Sequence, residues 1–134
     1  MSTRSLTIVK DTEMNDIMVM YRQSDGYPSG HGQDLADYLK GHKIVNGIGS
    51  GATWANSFNG IPCMAASIVA AFKDTIGGIY LYAPQPEGDY NHGQEYTYYV
   101  SARDNRPYIT MTDGEHDIGC FADDFNGKRM EENA

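Results

Sequence analysis

The alternation of hydrophobic and polar residues predicts two strands near the start of the chain. Residues 5–10 place Leu6 and Ile8 on one face, because side chains two positions apart in an extended chain point the same way. Residues 17–23 alternate in the same manner, and the polar stretch 11–16 between them is typical of a turn. This pattern predicts an antiparallel hairpin.

A helical spacing of apolar residues replaces the alternation in two later segments. The first helix is expected from about residue 30 to Gly41, with Leu35 and Leu39 one turn apart and the glycine at its end. The second is expected over about residues 61–74. Its apolar stripe, suited to packing on a sheet, consists of Ile61, Ala65, Ile68 and Phe72.

Three further strands are predicted over residues 79–83, 95–102 and 108–112, with Asp104-Asn105 as the turn between the last two. The order β-β-α-α-β-β-β lacks βαβ alternation. It therefore predicts an α+β fold, in which an antiparallel sheet of about five strands carries two helices packed on one face. We expect residues 1–125 to form a single globular domain, followed by a polar, frayed tail over residues 126–134.

Composition and charge restrict the classes of function. The chain has 134 residues and a net charge of −8, which disfavours binding to a nucleic-acid polymer because such proteins need a basic surface. No apolar run approaches ~20 residues, and the N-terminus resembles no secretory signal, so a cytoplasmic location without a membrane partner is expected. Cys63 and Cys120 have neither a disulfide-framework nor a zinc-ligand spacing.

The densest mixture of chemical groups lies between the second strand and the first helix, in residues 21–32. Arg22 is suited to a phosphate or carboxylate, and Tyr27 to stacking on a base. Asp25, His31 and several glycines complete the segment, and glycine allows a backbone to approach a ligand closely. The alternative is a purely structural turn in which Arg22 and Asp25 pair.

Two other features indicate binding less specifically. The glycine-rich residues 46–52 formally fit a dinucleotide fingerprint, but no acidic residue follows at the required distance, which leaves a binding loop as the interpretation. Six of the ten tyrosines lie in predicted strands or beside them. Their sheet face is suited either to stacking on a nucleobase or to homo-oligomerisation.

Catalysis has weaker support. No metal motif and no cofactor motif are present, so neither a metal nor a cofactor is expected. His31 and His92 each lie in a glycine-containing loop, and two such histidines, or one histidine with Glu95, are able to act as acid and base on a phosphodiester.

The loop motif also resembles one in a family of small, mostly uncharacterised phage and bacterial proteins. The resemblance covers most of residues 1–100. It is carried by the loop Arg22-Gln23-Ser24-Asp25-Gly26-Tyr27-Pro28-Ser29-Gly30-His31-Gly32, the opening Met1-Ser2-Thr3-Arg4-Ser5, and the segments Ile44-Val45-Asn46-Gly47, Cys63-Met64-Ala65-Ala66 and Gly93-Gln94-Glu95-Tyr96. A small acidic protein of this kind is similar to phage anti-defence proteins that sequester, or in some cases cleave, nucleotide signals of bacterial immunity.

We therefore expect the chain to bind and sequester a small phosphate-bearing nucleotide, of the cyclic nucleotide or cyclic ADP-ribose type, in the host cytoplasm. The candidate ligand-binding residues are Arg4, Arg22, Asp25, Tyr27, His31, Asn46, Glu95 and Tyr96. One alternative is a phosphodiesterase that uses His31, His92 and Glu95. Another is an acidic inhibitor of a protein partner, because residues 113–134 carry seven acidic and two basic side chains.

Overall fold

A computed structural model describes residues 2–47 and 56–133 and confirms the α+β class. The strands are β1 (Ser5–Lys10), β2 (Asp16–Arg22), β3 (Lys43–Val45), β4 (Ser57–Asn59), β5 (Ile79–Tyr82), β6 (Tyr96–Arg103), β7 (Arg106–Thr112) and β8 (Asp117–Phe121). The helices are α1 (Gln33–Leu39), α2 (Gly60–Phe72) and α3 (Gly127–Asn133). In the described part of the chain, no helix has both the length and the apolar character needed to span a membrane.

Six strands form one sheet in the order β5-β2-β1-β6-β7-β8, and β3 pairs with β4 separately. The predicted β1–β2 hairpin is confirmed, as is the turn between β6 and β7. Asp104 and Asn105 both have positive φ there, the conformation that a two-residue hairpin turn requires.

The sheet is mixed, whereas the sequence predicted an antiparallel one. β1 runs parallel to β6, with Leu6 opposite Thr97. The reason lies in the segment between β5 and β6, residues 83–95, which we call the crossover segment. It leads from the β5 edge of the sheet past β2 and β1 before the chain enters β6, so β6 does not form a hairpin with β5.

One face of the sheet packs against the helices and holds the main hydrophobic core. The strands contribute apolar side chains such as Met20, Val100 and Ile109, which form one buried cluster with Leu35 of α1 and Ile68 of α2. The two predicted helices therefore do pack on one face, as expected from their apolar stripes.

The opposite face, which we call the outer face, holds a second and smaller core of Leu6, Ile8, Val19 and Tyr21. Tyr90 of the crossover segment packs against it. The Tyr90 hydroxyl donates to Asp16 Oδ2 at 2.6 Å and accepts from the Gln85 amide at 2.9 Å. These bonds fasten the segment to the start of β2.

The C-terminal residues form α3 in place of the polar, frayed tail expected over residues 126–134. Met130 is buried in the main core. The Gly127 amide donates to Gln33 Oε1 at 2.8 Å, and the Ser29 hydroxyl donates to Glu131 at 2.9 Å. One apolar residue and two polar bonds therefore hold α3 against the turn that precedes α1.

Candidate functional site

The loop between β2 and α1 is organised around a buried histidine. Its residues 28–32 form a wide helical turn that brings His31 under Arg22 and Thr7. Arg22 Nη1 lies 3.0 Å from His31 Nδ1, and Thr7 Oγ1 lies 2.7 Å from His31 Nε2. Since a guanidinium has only donors, His31 Nδ1 accepts the bond from Arg22, and Nε2 carries the proton donated to Thr7.

His31 is fully buried, and its ring packs edge-on against Phe72 and Tyr98. Burial, assisted by the positive charge of Arg22, lowers the pKa of His31 to about 3. The imidazole is therefore neutral across the physiological range and has no exposed surface. In this conformation its interactions are structural, which departs from the ligand-binding and catalytic roles predicted for it.

The remaining loop residues shape the backbone around this histidine. The Asp25 carbonyl accepts the His31 amide at 2.8 Å, and Asp25 itself has a positive φ. Gly26 lies against β1, where a Cβ atom would overlap the side chain of Ser5. The buried Tyr98 hydroxyl donates to the Gly26 carbonyl at 2.7 Å, and burial raises the pKa of Tyr98 above its usual value. Tyr27 is half-buried, and its ring lies over Gly30.

A second group of predicted residues meets where β1 and β6 begin. The Arg4 carbonyl accepts the Glu95 amide at 2.9 Å and the Tyr96 amide at 3.4 Å. The Arg4 and Glu95 residues are exposed, whereas Tyr96 packs partly against the main core. Burial, and then the negative charge of Glu131, raise the pKa of Tyr96.

One predicted residue, Asn46, lies apart from both groups. Asn46 is exposed just after β3, and β3 is bonded to the hairpin turn at Asn105, at the other end of β6 from Tyr96. Seven strand steps separate the two ends of β6, roughly 23 Å. The glycine-rich loop lies mostly in residues 48–55, outside the described residues, so its interpretation as a binding loop stays a prediction.

The two histidines proposed as an acid–base pair lie on opposite faces of the sheet. His92 stacks on Tyr82 with ring centroids 3.9 Å apart, on the outer face, while His31 lies on the helix face. Glu95 is exposed at the end of the crossover segment. The fold therefore does not bring His31 and His92 together as an acid–base pair, and the buried His31 offers no exposed surface to a substrate.

The strand tyrosines do not form one stacking surface. Tyr98 is fully buried on the helix face, whereas Tyr80 and Tyr82 lie on the outer face of the edge strand β5 and are exposed. Tyr108 lies further along the outer face, beneath the guanidinium of Arg103 at 3.8 Å.

A cleft of about 330 Å³ opens beside Arg22. This volume is at the lower end of the range for small-molecule sites, about 300–1,000 Å³. One wall comes from the loop and α1, through Arg22, Ser24 and Asp34. The other wall comes from the end of α2 and the approach to β5, and consists of Ala71, Phe72, Asp74, Thr75, Gly77, Gly78 and Ile79.

Arg22 is held in a defined position at this cleft. Its Nε donates to the Ser24 carbonyl at 2.8 Å, its Nη1 to His31, and Asp34 lies 3.9 Å from Nη1. Within residues 2–47 and 56–133, its Nη2 makes no hydrogen bond. The side chain is about a quarter exposed. Arg22 therefore has an anchored guanidinium with donors left for a ligand.

Sequence reasoning identified Arg22 but missed the second wall. Residues 71–79 carry no recognisable motif, and they reach Arg22 through the pairing of β5 with β2, in which Ile79 lies opposite Arg22. Nor do the described residues group three or more metal-ligating side chains in one place.

Comparison of the chain with protein-family models, with curated proteins and with solved structures found no match.

Proposed function

We propose that the chain binds a small phosphate-bearing nucleotide in the cleft beside Arg22 and sequesters it without cleaving it. The observation that carries the proposal is the anchored guanidinium at the cleft wall. Because His31 and Ser24 hold Arg22 before a ligand arrives, less side-chain entropy is lost when its remaining donors engage a phosphate.

The other groups in the cleft suit the rest of a nucleotide. Asp34 and Asp74 provide acceptors for ribose hydroxyls or for the amino groups of a base, which carry hydrogen-bond donors. Gly77 and Gly78 both have positive φ, and without side chains they leave the backbone open to close approach. Phe72 supplies an apolar surface.

Charge favours a small ligand with few phosphates over a polymer. One guanidinium and two carboxylates line the cleft, and the whole chain has a net charge of −8. A long polyanion is repelled by this field, whereas a ligand with one or two phosphates needs only the charge-assisted hydrogen bonds that Arg22 donates. A cyclic mononucleotide or a cyclic ADP-ribose isomer meets this condition, and capture of such a signal fits a phage counter-defence role.

Sequestration is favoured over hydrolysis because the candidate acid and base do not meet. His31 is buried on one face of the sheet and His92 lies on the other. We expect a bound nucleotide to be released intact after the protein is denatured.

The test is calorimetric titration with cyclic nucleotides and cyclic ADP-ribose isomers, followed by heat denaturation and chromatography of the supernatant. Ala71→Trp places a large ring in the cleft, and Ala70→Trp is the matched control because Ala70 is an exposed neighbour on α2 that does not line it. We expect Ala71→Trp to weaken binding by at least about tenfold, or 1.4 kcal/mol, and Ala70→Trp to leave it unchanged.

Three results would contradict the proposal. If no nucleotide in the panel gives heat of binding, the chain does not bind small phosphate-bearing nucleotides. Equal losses in the two tryptophan variants place the ligand elsewhere. A new nucleotide product in the supernatant shows catalysis instead of sequestration.

A further inference from the structure

The edge strand β5 exposes an uncharged apolar surface. Its sequence is Ile79-Tyr80-Leu81-Tyr82, and among the strands of residues 2–47 and 56–133 it pairs with β2 alone. Leu81 is 57% exposed, and Tyr80 and Tyr82 are also exposed. Natural edge strands commonly carry charges, proline or a bulge to prevent pairing with another chain, and β5 carries none of these within its four residues.

The hydrogen-bond pattern shows which backbone groups are directed outward. The Gln23 amide donates to the Gly78 carbonyl at 2.9 Å, in register with the β2–β5 pairing. Antiparallel pairs alternate between bonded and non-bonded, so Tyr80 and Tyr82 bond to β2 and Leu81 does not. The amide and carbonyl of Leu81 therefore both point to the open edge of the sheet.

Ile79 also faces the edge, but its carbonyl accepts a bond from Lys73 Nζ at 2.9 Å, and its amide donates to Gly77. Leu81 is thus the centre of the open edge, with Ile79 two positions before it and Ala83 two positions after it. An edge with one outward donor and one outward acceptor on the same residue is complementary to itself.

We infer that β5 is the interface through which two copies of this chain associate, with a two-fold axis at Leu81. The two Leu81 residues exchange amide-to-carbonyl bonds, and the two sheets join into one of twelve strands. In this register Tyr80 of one copy lies opposite Tyr82 of the other, and aromatic cross-strand pairs of this kind are stabilising.

Charge at the ends of β5 favours the same antiparallel arrangement. Lys73 is bound beside Ile79, which lies opposite Ala83 of the second copy. From Ala83 that copy continues towards Glu87 and Asp89, both exposed. Lys73 of each copy therefore approaches the acidic stretch of the other copy, and the two-fold axis makes this contact twice. The opposite edge of the sheet, β8, begins with Asp117 and has a glycine at its centre, so it is the less favourable partner.

The interface includes no residue of the functional proposal except Ile79 at the rim of the cleft. It is therefore tested separately, by measuring molar mass with sedimentation velocity over a range of protein concentrations. We expect a monomer–dimer equilibrium.

Leu81→Lys places two like charges at the two-fold axis and should weaken dimerisation by at least about tenfold, with unchanged circular dichroism because the side chain is exposed. Glu115→Lys is the control, since Glu115 is exposed in the turn before β8, at the opposite edge of the sheet from β5. A chain that stays monomeric at every concentration overturns the inference. So does a dimer that survives Leu81→Lys, because it uses another surface.

Cross-linking provides the positive test. Bonded antiparallel residues have Cα atoms about 5.5 Å apart, which is within the span of a disulfide. Under oxidation we expect Leu81→Cys to form a dimer linked at residue 81, identified by peptide mass, and Glu115→Cys to form none. A Leu81→Cys chain that yields no such link contradicts the proposed register.

Discussion

At the scale of single residues, His31 shows how the surroundings of a side chain decide its role. The same imidazole in an exposed loop would titrate near neutrality and be available for acid–base chemistry. Here Thr7 and Arg22 occupy both ring nitrogens, and burial keeps the ring neutral. Its contribution to function is indirect, because it fixes the position of Arg22 at the cleft.

The lowered pKa of His31 makes stability depend on pH. Below about pH 6.5 the unfolded chain binds a proton at this residue, whereas the folded chain does not until about pH 3. Stability should therefore fall as the pH is lowered through this window, by up to about 1.4 kcal/mol per pH unit. Urea unfolding at a series of pH values measures it.

The variant His31→Gln separates the pH dependence of stability that His31 causes from the pH dependence that the carboxylates cause. A glutamine offers an acceptor to Arg22 and a donor to Thr7, but it does not titrate. The difference in unfolding free energy between the wild type and His31→Gln should shift steadily in favour of the variant as the pH falls from about 6 to 4. A difference independent of pH would mean that His31 is protonated in the folded chain.

At the scale of elements, α3 depends on a close backbone contact. A Cβ atom on Gly127 would overlap the carbonyl of Pro28, so the helix begins with the residue that lacks one. Gly127→Ala should destabilise the chain by about 1–3 kcal/mol, the usual effect of overpacking, and should increase hydrogen exchange in α3. Lys128→Ala, at an exposed neighbour, is the control.

Equal stability of Gly127→Ala and Lys128→Ala would show that α3 does not need this contact. Increased exchange throughout the sheet, as well as in α3, would show that the helix is part of the cooperative core instead of an attachment to it.

The elements that the sequence predicts best are those with a strong local pattern. Alternation identifies β1 and β2, and the 3–4 spacing identifies α2, because both reflect contact with one core. β3 and β4 have three residues each, too few for a period. The parallel pairing of β1 with β6 depends on residues some ninety positions apart, which no local pattern reports.

The candidate site likewise combines residues that a local sequence pattern reveals with residues that only the fold brings together. Arg22 stands out because a turn rarely combines so many chemical groups, and that signal is local. The opposite wall of the cleft, around Asp74 and Gly78, becomes part of the site only when β5 pairs with β2. The burial of His31 likewise depends on Phe72 and Tyr98, both distant in sequence.

At the scale of the whole molecule, the sheet order separates a rigid centre from a less protected edge. β1 lies between β2 and β6, and both of its faces are covered, one by the helices and the other by the crossover segment. Leu6 and Ile8 are fully buried there. β5 has a single neighbour among the described strands, and it has exposed side chains.

This difference in burial and strand pairing between β1 and β5 predicts which backbone amides exchange with solvent first. Amides of β1 should exchange only through global unfolding, because opening them breaks pairs on both sides. Those of β5 should exchange through local opening with a smaller free energy. Hydrogen exchange followed by mass spectrometry or nuclear magnetic resonance measures both, and similar protection in the two strands would contradict this prediction.

Hydrogen exchange at the Leu81 amide also reports on self-association. In a single copy it faces the open edge and should exchange rapidly, whereas in the dimer it donates to the second Leu81. Its protection should therefore rise with protein concentration, while that of Leu6 in β1 stays constant. The rise should disappear in Leu81→Lys and persist in Glu115→Lys. If instead the amide of residue 81 is protected equally at all concentrations in Leu81→Lys as well as in the wild type, it has a partner within its own chain, and the edge is closed before any second copy arrives.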